Sequence, residues 1–170
     1  RAIAVRDDAI ALTWTELEQR TNRAAHALIA AGVKPDDLVT IALPNGVDFI
    51  EACLAVWKAG ATPQPVSSRL PRFELDALLE LAKPAIVISH EGLGASYEDL
   101  LARSDNQDAP PLHIAKHGKA PTSGGSTGRP KLILDARPAI ADPAGALGWR
   151  LDANSIALMP GPLYHNGPFV

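Results

Sequence analysis

The chain has 170 residues, 46% of them hydrophobic and 21% charged, with a net charge of −3. That length and balance suit one soluble globular domain with a real core. Scattered basic residues leave no stripe for nucleic acid, and no apolar run nears the roughly 20 residues of a membrane span. No secretory or transit signal is visible. A single cysteine, Cys53, precludes an internal disulfide, and a reducing, cytoplasmic setting is expected. The chain opens on Arg1, holds one methionine (Met159) and stops just past a motif at Val170, so a piece of a longer protein is expected. Nothing in the sequence sets an oligomeric state.

Ala2 to Trp14 reads as two short strands around a turn at Arg6-Asp7-Asp8. Thr13-x-x-Glu16 is a capping box that opens a helix with Leu17, Thr21, Ala24, Ala25 and Leu28 on one face. Gly32 closes it, with Pro35 beyond. Leu38 to Leu43 is a short strand buried on both faces. Asn45 is the expected N-cap of a helix from about Gly46 to Ala59, with Phe49, Ala52, Cys53, Val56 and Trp57 as its apolar stripe, and Gly60 ends it. A strand runs from Thr62 to Val66. Pro71 opens a third helix with Leu75, Leu78 and Leu79 inward, and Lys83-Pro84 stops it. Ala85 to Ser89 is another buried strand.

These elements define an α/β fold built on a parallel βαβαβ unit with helices on both faces. A short helix is expected at Tyr97 to Ala102, a loop at Ser104 to Pro111 and strand character near Leu112 to Ala115. Ala139 to Trp149 is weakly helical, and Ser155 to Met159 reads as a buried strand delivering Pro160 to Gly167. Asp7-Asp8 and Asp36-Asp37 read as solvated turn acids. His113-x-x-x-His117 has helical metal spacing but no nearby third ligand, so no metal site is expected.

The chemistry concentrates in Ser123-Gly124-Gly125-Ser126-Thr127-Gly128-Arg129-Pro130-Lys131, which packs three glycines, three hydroxyls, a proline and a lysine into nine residues. Glycines let backbone N–H groups approach an anion, hydroxyls donate to phosphate oxygens, and lysine adds a mobile charge. The common P-loop is excluded, because Arg129 and Pro130 separate Gly128 from Lys131 and Leu132 follows. No G-x-G-x-x-G is present. Leu132-Ile133-Leu134 follows at once, which marks an anchored turn feeding a strand, not a free linker.

The stretch resembles the phosphate-binding signature of adenylate-forming (AMP-binding) enzymes, roughly [ST]-[ST]-G-[ST]-T-G-x-P-K-G. Ser123, Gly125, Ser126, Thr127, Gly128, Pro130 and Lys131 match it. Gly124 stands where a hydroxyl is usual, and Leu132 where glycine is usual. Arg129 falls at the variable position and is left out of the site. Leu12 to Leu17, Phe49 through Ala61 with Pro63 and Pro65, and Pro162-Leu163-Tyr164-His165 resemble further family segments in order.

The resemblance implies residues 1–170 as a partial N-terminal AMP-binding domain of an acyl-CoA synthetase-like enzyme, without the rest of that domain or the C-terminal lid domain. It implies ATP-dependent activation of a carboxylic acid to an acyl-adenylate, then thioester formation with coenzyme A, with ATP, Mg²⁺ and coenzyme A as cofactors. Ser123, Gly124, Gly125, Ser126, Thr127, Gly128 and Lys131 are the implied nucleotide-binding set, and Lys131 and His165 the implied catalytic pair. His165 would line the acyl pocket beside Tyr164 and orient the carboxylate or gate the pocket. It is not needed as a base, because a carboxylate is already ionised at neutral pH. The implied segments for adenine, ribose and Mg²⁺, and a lid lysine, are missing from these residues, so the piece alone is expected to be inactive. Gly124 to Leu132 and His165 to Phe169 are reminiscent of bile-acid, steroid and fatty-acid CoA ligases. Two other readings stay open: an adenylation domain that loads a carrier protein, and a non-catalytic nucleotide-binding module.

Overall fold

The computed structural model describes residues 2–90, 92–123, 130–140, 152 and 155–167. Strands β1 (Ile3–Arg6) and β2 (Ala11–Thr13) pair antiparallel across the short turn that joins them. Asp7 holds their turn: its Oδ1 accepts the N–H groups of Ala9 and Ile10 at 2.8 and 2.9 Å. Helix α1 (Trp14–Ala30) starts on the expected capping box, with Thr13 and Glu16 each accepting the other's backbone N–H. It ends in a Schellman motif, in which the Val33 N–H reaches the Leu28 carbonyl and the Gly32 N–H reaches that of Ile29. Gly32 takes φ of 97° there, a conformation costly for any residue with a Cβ.

β3 (Leu38–Ala42), α2 (Val47–Lys58), β4 (Thr62–Pro65), α3 (Arg72–Ala82) and β5 (Ile86–Ser89) follow in order. The three strands form a parallel sheet in the order β4-β3-β5. Alternation assigns the two faces of β3. Val39 and Ile41 join Phe49, Ala52 and Val56 of α2 and Leu28 of α1 in the main core. Ala42 joins Val66 and the α3 residues Leu75 and Leu78 on the other face. Helices therefore cover both faces, as the sequence predicts. Helix α4 (Tyr97–Ala102) adds Tyr97 and Leu100 to the main core.

Polar groups fasten the helices as well. Glu51 on α2 is fully buried and takes a bidentate pair from Arg20 on α1, Nε to Oε1 at 2.7 Å and a terminal nitrogen to Oε2 at 2.8 Å. Burial pushes the Glu51 carboxyl up, and the Arg20 guanidinium pulls it back. Lys58 ties the other end of α2 to α1, donating to Thr21 Oγ1 at 2.8 Å and Asn22 Oδ1 at 2.7 Å. Among the described residues no helix is long and apolar enough to cross a membrane.

Three expectations are corrected. Asn45 is not the N-cap of α2. The cap position is Gly46, which has no side chain to cap with, and Asp7 Oδ2 accepts the Val47 N–H at 2.8 Å instead. Asp7 is thus a structural acceptor, and so is Asp36, which bonds the Lys116 N–H and pairs with its ammonium at 2.8 Å. Second, Leu112 to Ala115 forms no strand. The outer edge of β4 carries Pro63 and Pro65, which have no N–H to offer a ladder. Ala115 is buried, but Leu112 and Ile114 face outward. Third, Ser155 to Met159 is neither strand nor buried, and Ile156 is 96% exposed. Both sheet edges are already bonded elsewhere, β4 through the Pro63 carbonyl to Ala120 and β5 through Val87 and Ser89 to Ala95. The weakly helical stretch lies, from residue 141 on, outside the described residues.

Candidate functional site

The first half of the site is a hairpin rooted on the sheet edge. β6 (Thr122–Ser123) and β7 (Lys131–Leu132) pair antiparallel, with Thr122 opposite Leu132 and Ser123 opposite Lys131. The candidate loop residues Gly124, Gly125, Ser126, Thr127 and Gly128 lie outside the described residues. The hairpin register nonetheless fixes the two ends of that loop, because Ser123 and Lys131 are cross-strand partners and sit close together. The Lys131 side chain is exposed.

The root of the hairpin is built by long-range bonds. Ala120 N–H donates to the Pro63 carbonyl at 2.9 Å, Trp57 Nε1 to the Gly118 carbonyl at 2.6 Å, and Thr62 Oγ1 to the His117 carbonyl at 2.9 Å. Further down, the Ile133 N–H bonds the Pro121 carbonyl and the Asp135 N–H that of Lys119. Asp135 pairs with Arg137 at 3.1 Å, and the guanidinium holds its carboxyl below the ordinary range. Burial pulls the Lys119 ammonium down. His117 Nδ1 donates to the Asp135 carbonyl at 2.7 Å, while His113 packs its Cβ against the open side of Gly60. The two histidines therefore serve different packing contacts and share no helix face. Among the described residues no group of three His, Cys, Asp or Glu side chains is disposed to hold a metal ion.

The second half lies at the C-terminal ends of β3 and β4, where open parallel sheets receive ligands. A cavity of about 270 Å³ opens there, lined by Leu43, Pro44 and Asn45 after β3, Ser67, Ser68 and Arg69 after β4, and Pro160, Pro162 and Tyr164. Asn45 Oδ1 accepts the Leu163 N–H at 2.9 Å, and its Nδ2 donates to the Gly161 carbonyl at 2.8 Å. Leu163 is buried in the main core. The His165 N–H closes a turn onto the Pro162 carbonyl at 3.0 Å. Tyr164 and His165 stand side by side beyond it, ring centroids 4.6 Å apart and tilted by 44°. His165 is exposed.

The structure thus brings His165 to Tyr164, which lines the cavity, and Ser123 to Lys131. Among the described residues no hydrogen bond or ion pair joins the two halves. Sequence reasoning missed Asn45 as a site residue because an asparagine before a helix reads as a cap. It also missed Ser67, Ser68 and Arg69, whose one signal is their place just after a buried strand.

The fold defines a class: an α/β protein with helices on both faces of a parallel sheet and a cavity at the C-terminal ends of β3 and β4. The chain belongs to the AMP-binding enzyme family, which matches it over residues 1–170. Its relatives by sequence include the dimodular nonribosomal peptide synthase of Bacillus subtilis (strain 168), 28% identical over 158 residues, covering 82% of this chain. The chain spans only 7% of that relative's length. By structure it is similar to ATP-bound MatB from Rhodopseudomonas palustris, with a TM-score of 0.78, 21% identity and coverage of 98% of this chain and 38% of that one. It is also similar to the o-succinylbenzoate CoA synthetase MenE from Bacillus subtilis in complex with its acyl-adenylate intermediate, with a TM-score of 0.76, 19% identity and coverage of 98% and 48%. At these identities the two structures establish the fold.

Proposed function

We propose that residues 1–170 form the opening part of the large domain of an enzyme that activates a carboxylic acid as its acyl-adenylate and passes the acyl group to a carrier-protein thiol. The observation that carries the reading is the pairing of β6 with β7, whose register sets Ser123 opposite Lys131 at the two ends of the sequence stretch 124–129. A stretch rich in hydroxyls and glycines between two paired ends suits a polyphosphate.

In the first step a substrate carboxylate oxygen attacks the α-phosphorus of ATP, and the bond to the pyrophosphate oxygen breaks. Charge grows on the departing pyrophosphate. Ser123, Ser126 and Thr127 would donate hydroxyl hydrogens to it, Gly124, Gly125 and Gly128 would let backbone N–H groups approach, and Lys131 would supply the positive charge. His165 would orient the carboxylate beside Tyr164. Mg²⁺ would neutralise phosphate charge when bound, and none of the described residues is assigned to hold it. In the second step a thiol sulfur attacks the acyl carbon and AMP leaves.

Free coenzyme A was the acceptor implied by the sequence motifs. The relationship to a peptide synthase over most of the chain favours a carrier protein's phosphopantetheine thiol, since the likeness to a CoA synthetase is one of fold. The test is to incubate the full-length protein containing this chain with ATP, Mg²⁺ and an acid panel of amino, aryl, fatty and bile acids. Carrier protein or coenzyme A is offered as thiol, and thioester is read by mass spectrometry. Thioester on the carrier supports the proposal, and thioester on coenzyme A alone overturns the choice of acceptor. ATP binding without any adenylate would leave a non-catalytic module.

A further inference from the structure

We propose that Asn45 is a positioning residue for carboxylate activation, acting through Tyr164 and His165; this rests on the adenylation reading above. Its two hydrogen bonds straddle Pro162, one to the Gly161 carbonyl and one from the Leu163 N–H. Among the described residues they are the only hydrogen bonds that tie the segment 160–167 to the rest of the chain. Pro162 itself has no N–H to offer, and its carbonyl accepts from His165 within the turn. Leu163 supplies an apolar anchor in the core. The next two side chains, Tyr164 and His165, inherit the orientation that the latch and the anchor set.

The Asn45 carboxamide matches this latch. Leu163 N–H can only donate and the Gly161 carbonyl can only accept, so the group between them needs both an acceptor and a donor, which the carboxamide supplies on Oδ1 and Nδ2. Aspartate would keep the first bond and set a carboxylate oxygen against a carbonyl oxygen in place of the second. Glutamine would carry the same groups one methylene too far out. The backbone beneath Asn45 is itself held on both sides, with Leu43 buried before it and the Val47 N–H bonded to Asp7 after it. Because Asp7 caps α2, the Asn45 side chain is released from that duty and reaches the chain 116 to 118 residues further on.

The test uses the full-length protein as wild type, Asn45→Ala, His165→Ala and the double variant. Two readouts are taken: ATP–pyrophosphate exchange kinetics, and amide hydrogen exchange across residues 161–165. Loss of the latch should raise KM for the acid by about tenfold and speed Leu163 amide exchange by a similar factor, the worth of one to two hydrogen bonds. KM for ATP and the melting temperature should stay near wild type. In the His165→Ala background the Asn45→Ala change should add clearly less than it does in wild type, the remainder passing through Tyr164. Fully additive effects, or an unchanged Leu163 amide, overturn the proposal. Should Asn45→Ala fail to fold, Asn45→Asp retains the Leu163 bond and must still raise KM for the acid. Wild-type protein with no acid-dependent exchange would refute the adenylation reading alone, and the Leu163 amide then still decides whether Asn45 fixes the segment.

Discussion

Asp7 accepts the Val47 N–H at 2.8 Å, so the first hairpin caps a helix that begins 40 residues later. The same carboxylate accepts Ala9 and Ile10 through its other oxygen. One side chain therefore closes a turn and satisfies a helix end that Gly46 leaves bare. Asp7→Ala should cost about 1–2 kcal/mol, the usual range for losing a cap. Asp7→Asn, which keeps an acceptor for one site only, should cost less. Urea denaturation of both variants checks the order.

Acid should expose the same contact. Three backbone N–H groups hold the Asp7 carboxyl below the ordinary range, Lys116 does so for Asp36, and Arg137 for Asp135. The native state then binds fewer protons than the unfolded chain. Their stabilisation is fully present above the ordinary carboxylate value of about 3.9 and is lost as pH falls through the lowered values. Thermal midpoints measured from neutral pH downward should stay level, then drop below about pH 4. Asp7→Asn should make that drop shallower.

The Arg20–Glu51 pair offers a second test. Glu51 is fully buried and Arg20 is 28% exposed on its side chain. Removing the arginine strands a carboxylate in the core, so Arg20→Ala should cost about 3 kcal/mol, near the low end for a buried pair because Arg20 still touches solvent. The apolar double variant Arg20→Met/Glu51→Leu should recover most of that loss in the same denaturation experiment.

Gly32 and Gly60 end α1 and α2 in the same motif, with φ of 97° and 77°. Their surroundings differ. A Cβ at Gly32 meets open space, whereas one at Gly60 would stand 2.6 Å from His113 Cβ. Gly32→Ala should cost about 1 kcal/mol for the left-handed backbone alone. Gly60→Ala should cost clearly more, and shortening the neighbour with His113→Gly should return it toward the Gly32→Ala value.

Local signals were legible in the sequence, and partners distant in the chain were not. The Thr13–Glu16 box, the glycines at 32 and 60 and the βαβαβ order each rest on residues a few positions apart. The roles of Asn45 and Asp7 depend on each other across 38 residues, and no local pattern encodes that exchange. Leu112 to Ala115 and Ser155 to Met159 misled because an apolar run reports a wish for burial, while a strand also needs an open edge. Pro63 and Pro65 had already closed the edge of β4. In the site, the phosphate role proposed for Ser123 to Lys131 rests on a sequence motif, to which the structure adds the pairing of its two ends. The latch that orients Tyr164 and His165 became visible only once β3 and residues 161–163 were seen side by side.

The most direct measurement is ATP–pyrophosphate exchange by the full-length protein across the acid panel, with Lys131→Ala as the comparison. Acid-dependent exchange that falls strongly in Lys131→Ala is the predicted result. Exchange absent with every acid, or equal in both proteins, would contradict the assignment of this loop to carboxylate activation.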